Sequence, residues 1–169
     1  MKLRRLTMVL AVAMAPACAM SEGAGPPRID EPIRPYSAAT LAGDTVSLAS
    51  FPGQVVLLNL WATWCAPCRS ETPYLQSLSE EYGPEGLEIV GISMDTGDAA
   101  DQVAMFVEEY GVTYTILHDP KMLGMEIYQV LGLPATFLID REGVLRWMRY
   151  GPIPEGDPGF LQALEDVLR

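Results

Sequence analysis

The stretch Gln54-Val55-Val56-Leu57-Leu58-Asn59-Leu60-Trp61-Ala62-Thr63-Trp64-Cys65-Ala66-Pro67-Cys68 decides how this chain folds. From Gln54 to Leu60 it is a short, nearly continuous apolar run, the pattern of a strand covered on both faces. Beyond Cys68, residues to about Tyr82 carry apolar side chains at helical spacing, with Tyr74, Leu75, Leu78 and Tyr82 on one stripe. A buried strand running into a helix puts Cys65 at the helix N-terminus. There the unpaired backbone N–H groups and the helix dipole favour thiolate over thiol, lowering a cysteine pKa from about 8.5 into roughly 3.5–7.5. Thiolate is the attacking species in disulfide exchange, so Cys65 is the expected nucleophile. Cys68, about one helical turn on, faces inward and would attack Cys65 to resolve a mixed disulfide. Pro67 falls in the first turn, where its missing N–H costs nothing.

Outward from this centre, Tyr36 to Thr40 and Thr45 to Leu48 read as a hairpin around Ala42-Gly43-Asp44. Leu87 to Met94 is a second buried strand, and Ala99 to Tyr110 a helix with Val103, Phe106 and Val107 inward. Thr113 to Leu117 reads as a short strand and Lys121 to Tyr128 as a short helix. Ala135 to Asp140 and Val144 to Tyr150 flank the turn Arg141-Glu142-Gly143, and Phe160 to Leu168 is a closing amphipathic helix. Strands alternate with helices and a hairpin precedes the last helix, so the class is a mixed-sheet α/β domain running from about Tyr36 to Arg169. A chain of 169 residues holds one such domain and not two.

Residues 1–20 have a basic start (Lys2, Arg4, Arg5), an apolar stretch from Leu6 to Ala15 and small residues after it. This is the layout of a secretory signal, and the apolar part is too short for an ordinary membrane span. Two processing routes fit. Ala15-Pro16-Ala17 before Cys18 resembles a weak bacterial lipoprotein site, where the cysteine is lipidated and tethers the protein to a membrane. Otherwise Ala15-x-Ala17 or Ala17-x-Ala19 is a small-x-small cleavage site. Both lead to export into the bacterial periplasm or cell envelope. Residues 21–35, rich in Pro, Gly and charge without hydrophobic period, read as a linker or extended arm.

Net charge is −11, and every acidic residue lies at Glu22 or later, so loss of the basic start would leave the chain more acidic still. Such a chain is repelled by nucleic acid and by anionic lipid headgroups, and nucleic-acid binding is excluded as a function class. Three cysteines are too few for a disulfide scaffold. A C-x-x-C can also be half of a zinc site, but four ligands are needed and only His118 and carboxylates accompany this pair. His118, the single histidine, reads as a strand-end residue, and the nine methionines are scattered as core filling. No metal site and no cofactor is expected.

Several separated motifs give a more specific resemblance. Asn59 to Arg69, Glu71-Thr72-Pro73, Gly91-Ile92-Ser93-Met94-Asp95 and Leu133-Pro134-Ala135-Thr136-Phe137-Leu138-Ile139-Asp140 together resemble the TlpA/ResA-like exported thiol–disulfide oxidoreductases of the thioredoxin superfamily. The resemblance covers about Tyr36 to Tyr150 and implies a thioredoxin-like mixed sheet flanked by helices, with an N-terminal β-hairpin. It implies that Pro134 is a cis-proline against the disulfide, with the flanking Leu133 backbone free to pair with substrate. Trp64, Ala66, Pro67 and Leu133 would meet the substrate, and Trp61 belongs to the core. Glu71 matches an acidic position near the active site of ResA-like relatives. A carboxylate there would oppose thiolate formation and could shuttle a proton to or from Cys68. Asn59 stands where ordinary thioredoxins carry a buried aspartate, a departure that removes one proton acceptor.

The resemblance implies a protein-disulfide reductase acting on exported proteins, as in cytochrome c maturation or copper-site assembly, and re-reduced by a membrane electron donor. A disulfide-forming oxidase is the nearest alternative, because sequence does not set the potential and about 30 mV already corresponds to roughly 1.4 kcal/mol. A Cu(I)-binding chaperone using Cys65, Cys68 and a methionine is another. A thiol peroxidase is disfavoured by the Trp-Cys-x-Pro-Cys arrangement.

Overall fold

The computed structural model describes residues 25–169. The signal read in residues 1–20, Cys18 and residues 21–24 lie outside the described residues. Seven strands form one sheet: β1 (Ser37–Thr40), β2 (Thr45–Ser47), β3 (Val55–Trp61), β4 (Leu87–Ser93), β5 (Thr115–His118), β6 (Ala135–Ile139) and β7 (Leu145–Tyr150). Their order is β2-β1-β5-β4-β3-β6-β7. β3, β4 and β5 run parallel, whereas β6 runs antiparallel to β3 and β1 antiparallel to β5. Four helices complete the fold: α1 (Ala66–Tyr82), α2 (Ala100–Glu109), α3 (Leu123–Ile127) and α4 (Pro158–Leu168).

β3 is central and buried at every residue, which is why its sequence shows no polar alternation. The two-residue period of the strand still sorts its side chains. Val56, Leu58 and Leu60 enter one core with Ile92, Met94, Leu117, Tyr128 and Phe137. Val55 and Leu57 point the other way, onto Leu75 and Leu78 of α1 and Phe160 and Leu164 of α4. Asn59 and Trp61 share the parity of Val55 and Leu57, so they face the same side as α1. Trp61 there joins a third cluster with Cys65, Cys68, Val103, Phe106 and Ile116. Gly91, which pairs with Asn59 across β3 and β4, has room for no side chain: an added Cβ would lie 2.9 Å from Ile116 and 3.1 Å from Trp61 Nε1.

Residues 25–35 are an arm and not a free linker. The Asp30 N–H donates to the Leu145 carbonyl at 2.8 Å, the Leu145 N–H to Glu31 at 3.0 Å, and the Ile33 N–H to Gly143 at 2.9 Å. Arg146 pairs with Asp30 at 2.6 Å, and the Tyr128 hydroxyl donates to the Arg34 carbonyl at 3.0 Å. Backbone bonds hold this arm along Gly143 to Leu145, where β7 begins, so it needs no hydrophobic period and shows none.

Candidate active site

The sulfurs sit where β3 ends and α1 begins. Cys65 is the residue that caps α1, and its Sγ accepts the Cys68 N–H at 3.3 Å. Ala66 and Pro67 fill the exposed first positions of the helix. The two cysteines are joined in a disulfide, with 5.3 Å between their Cα atoms. Both are largely buried, Cys68 more than Cys65, while Trp64 beside them is 66% exposed and Trp61 is enclosed. When the pair opens, the Cys68 N–H at the head of the helix is the donor directed at Cys65 Sγ, an arrangement that stabilises negative charge on sulfur.

The Leu133–Pro134 peptide is cis. Leu60 pairs with Ala135 across β3 and β6, so Pro134 lies one step further, at the same end of the sheet as Ala62 to Cys65. Leu133 packs against the cluster that contains both cysteines. Leu131, two residues earlier, is fully exposed.

Glu71 follows Cys68 by one turn of α1 and is 4% exposed, so it is no solvated first-turn carboxylate. The Ile153 N–H donates to its Oε1 at 2.6 Å and Asn59 Nδ2 to its Oε2 at 3.4 Å. Burial pushes its pKa up to about 7, against the lowering effects of the Ile153 N–H, the Asn59 amide and the Arg149 guanidinium. Asn59 also donates to Thr136 Oγ1 at 2.9 Å, which ties β3, α1 and β6 together beneath the sulfurs. Tyr114 lies near this carboxyl, and burial, then the Glu71 charge, holds its phenol well above the ordinary range.

The structure brings Cys65, Cys68, Trp64, Ala66, Pro67, Leu133, Pro134 and Glu71 to one end of the sheet. His118 ends β5, as read from the sequence, with Nε2 2.8 Å from the Asp95 carbonyl oxygen. Sequence reasoning passed over Asp95 and Thr63. Asp95 is 2% exposed, and its carboxylate takes three hydrogen bonds at the edge of this site. The signal was available: an acidic residue just past the C-terminal end of a buried parallel strand, where α/β folds collect their functional groups. Among the described residues, no group of three or more His, Cys, Asp or Glu side chains could hold a metal ion, and no helix is long and apolar enough to cross a membrane.

The model of the AhpC/TSA family matches residues 29–148. A thioredoxin-like protein, YneN, from Bacillus subtilis is 37% identical over 117 residues, 69% of this chain and 68% of that protein. The thiol-disulfide oxidoreductase ResA of Geobacillus thermodenitrificans is 35% identical over 132 residues, 78% of this chain and 74% of that protein. Coverage of another ResA, from Oceanobacillus iheyensis, falls to 56% of its length. Among solved structures, a putative thiol:disulfide interchange protein DsbE from Chlorobium tepidum superposes with a TM-score of 0.78 at 26% identity. That match covers 85% of this chain and 99% of the other.

Proposed function

The chain belongs to the AhpC/TSA family and stands with the thiol–disulfide oxidoreductases of the ResA type; on that premise we propose that it is an exported reductase of protein disulfides. The supporting observation is the Cys68 N–H directed at Cys65 Sγ at the head of α1, with a buried carboxyl one turn below. Cys65 attacks a disulfide of an exported partner as the thiolate. Cys68 then displaces the partner, leaving the pair oxidised until a membrane electron donor reduces it. Glu71 is protonated below about pH 7. It carries a proton to or from Cys68, and its negative charge above that pH opposes thiolate formation. Above that pH the Glu71 charge offsets the stabilisation that the helix N-terminus gives the thiolate, and to that extent the reduced pair gives up its electrons more readily, which favours the reducing direction over the oxidase alternative. The rim of Trp64, Leu133 and the cis Pro134 receives the partner's extended segment.

Two measurements test this. Cys68→Ser in the intact cell envelope should accumulate mixed disulfides of Cys65 with discrete exported proteins; a folded mutant that traps nothing would sink the exchange mechanism. Equilibration with glutathione gives the potential of the pair. A value as oxidising as about −120 mV, that of a dedicated disulfide donor, would assign the protein to disulfide formation instead.

A further inference from the structure

Thr63, two residues before Cys65, has every polar atom engaged. Its N–H donates to Asp95 Oδ2 at 3.0 Å and its hydroxyl to Asp95 Oδ1 at 2.6 Å. The same hydroxyl accepts from Gln102 Nε2 at 3.0 Å, and its carbonyl accepts from Arg69 Nη1 at 3.3 Å. Asp95 Oδ2 also accepts the Ser93 hydroxyl at 2.8 Å. Arg69 lies over the rings of Phe106 and Tyr110, 5.7 and 5.6 Å from their centroids. The end of β4, α1 and α2 thus converge on one residue of the passage into the active site. The Cys65 N–H donates to the Ala62 carbonyl at 3.1 Å, closing a turn around Thr63 and Trp64, so whatever fixes Thr63 fixes Cys65.

A buried carboxylate is costly, and an apolar residue often fills such a place with equal or better stability. What a carboxylate adds here is a fixed position for the loop. In the oxidised state the disulfide itself holds residue 65 against residue 68. Once that bond opens, the sulfurs are kept in register by the first hydrogen bond of α1, from the Arg69 N–H to the Cys65 carbonyl at 3.1 Å, and by the turn and its anchors on the other side of Cys65.

We propose that Asp95 is a positioning residue for disulfide exchange: through Thr63 it holds Cys65 facing Cys68 while the bond between them is open, raising the effective concentration of one sulfur at the other. The inference rests on the exchange reading above. The step it serves is resolution. The Cys68 thiolate attacks Cys65 Sγ of the mixed disulfide, the Cys65–Cys68 bond forms, and the Cys65–partner bond breaks. The partner leaves as a thiolate that takes a proton from water, having received the electron pair that the two protein thiols lose.

The test uses the mature protein with glutathione as the partner, reading the equilibrium ratio of disulfide to dithiol and the rate at which Cys68 expels glutathione from Cys65. Asp95→Ala should lower both about tenfold, a shift of about 30 mV toward a more oxidising potential. Thr63→Val keeps the side-chain shape and the N–H bond but loses the hydroxyl bonds, and should lower both about threefold. Asp95→Asn can still accept from Thr63 N–H and Ser93, and should stay within about twofold of the parent. A purely structural role would move the unfolding midpoint and leave the glutathione ratio alone. Parent-like values in folded Asp95→Ala and Thr63→Val overturn the proposal, and if Asp95→Ala does not fold, Thr63→Val decides. A fall in Asp95→Asn as deep as in Asp95→Ala also overturns it, by assigning the effect to charge. A parent protein that does not exchange with glutathione would instead refute the exchange reading beneath it.

Discussion

Glu71 is held in a place where its charge is unwelcome and its hydrogen bonds are not. Its pKa in the fold, about 7, lies above the ordinary 4.5 because burial penalises the anion more than its donors favour it. The folded protein therefore binds a proton that the unfolded chain has released across this window. The stabilisation is complete below about pH 4.5 and is lost as pH rises toward 7. At 1.36 kcal/mol per pKa unit the effect is on the order of 3 kcal/mol. Glu71→Gln should remove that slope, so its urea midpoint should gain on the parent between pH 5 and pH 8. The same substitution should remove the inflection near pH 7 from the rate of Cys68 alkylation in the reduced protein. Asn59→Asp would set a second carboxyl against Glu71 Oε2, now 3.4 Å from the Asn59 amide. Two such groups cannot ionise together, and the variant should lose at least about 2 kcal/mol more at pH 8 than at pH 5. The resemblance to ResA-like proteins, which carry an acidic residue at this position, sufficed to suspect Glu71. Its burial could not be foreseen, because the N–H that holds it belongs to Ile153, 82 positions away.

At the level of the elements, the segments that carry the site were legible because strong local signals agree. The apolar run of β3, the proline in the first turn of α1 and the stripe through Leu75 and Leu78 all demand the same strand-to-helix junction. The weaker ends moved. Leu48, expected in β2, instead opens a short 3₁₀ turn, because the Ser47 hydroxyl accepts the Ala49 N–H and Ser50 reciprocates. Thr113, expected to start β5, is taken by the Gln76 side chain of α1, and the strand begins at Thr115. The close approach at Gly91 gives a prediction about how β3, β4 and β5 pack. Gly91→Ala must push Ile116, Trp61 or Tyr114 aside and should cost about 1–3 kcal/mol, seen as a lower denaturation midpoint with unchanged slope.

For the molecule as a whole, the strand order was the part least open to reading. Hydrophobic pattern identifies β1 and β2 as a hairpin. It does not reveal that β1 pairs with β5 through Ala39 and Thr40, since that choice is made by contacts between segments far apart in the chain. The arm was hidden for a related reason, being held by backbone groups and by one charge pair, Arg146 with Asp30, across more than a hundred residues. Its removal should expose the Gly143 and Leu145 backbone groups at the start of the β7 edge, leaving them unpaired. A chain starting at Pro35 should therefore unfold at lower urea and sediment with concentration-dependent self-association, where a chain that keeps residues 25–34 does not.

The arm also fixes an exit. It docks at the start of β7, and because β7 and β6 are antiparallel, that point lies at the opposite pole from Ala135 and Tyr150, which flank the sulfur end. Any leash attached upstream therefore meets the sheet through residues 30–33, which dock at the pole away from the redox pair. From Cys18 to Gly25 the chain can reach at most roughly 25 Å. A lipid-held form would have its reach confined to a thin layer above the bilayer, meeting partners that stand in that layer rather than those free in the space beyond it.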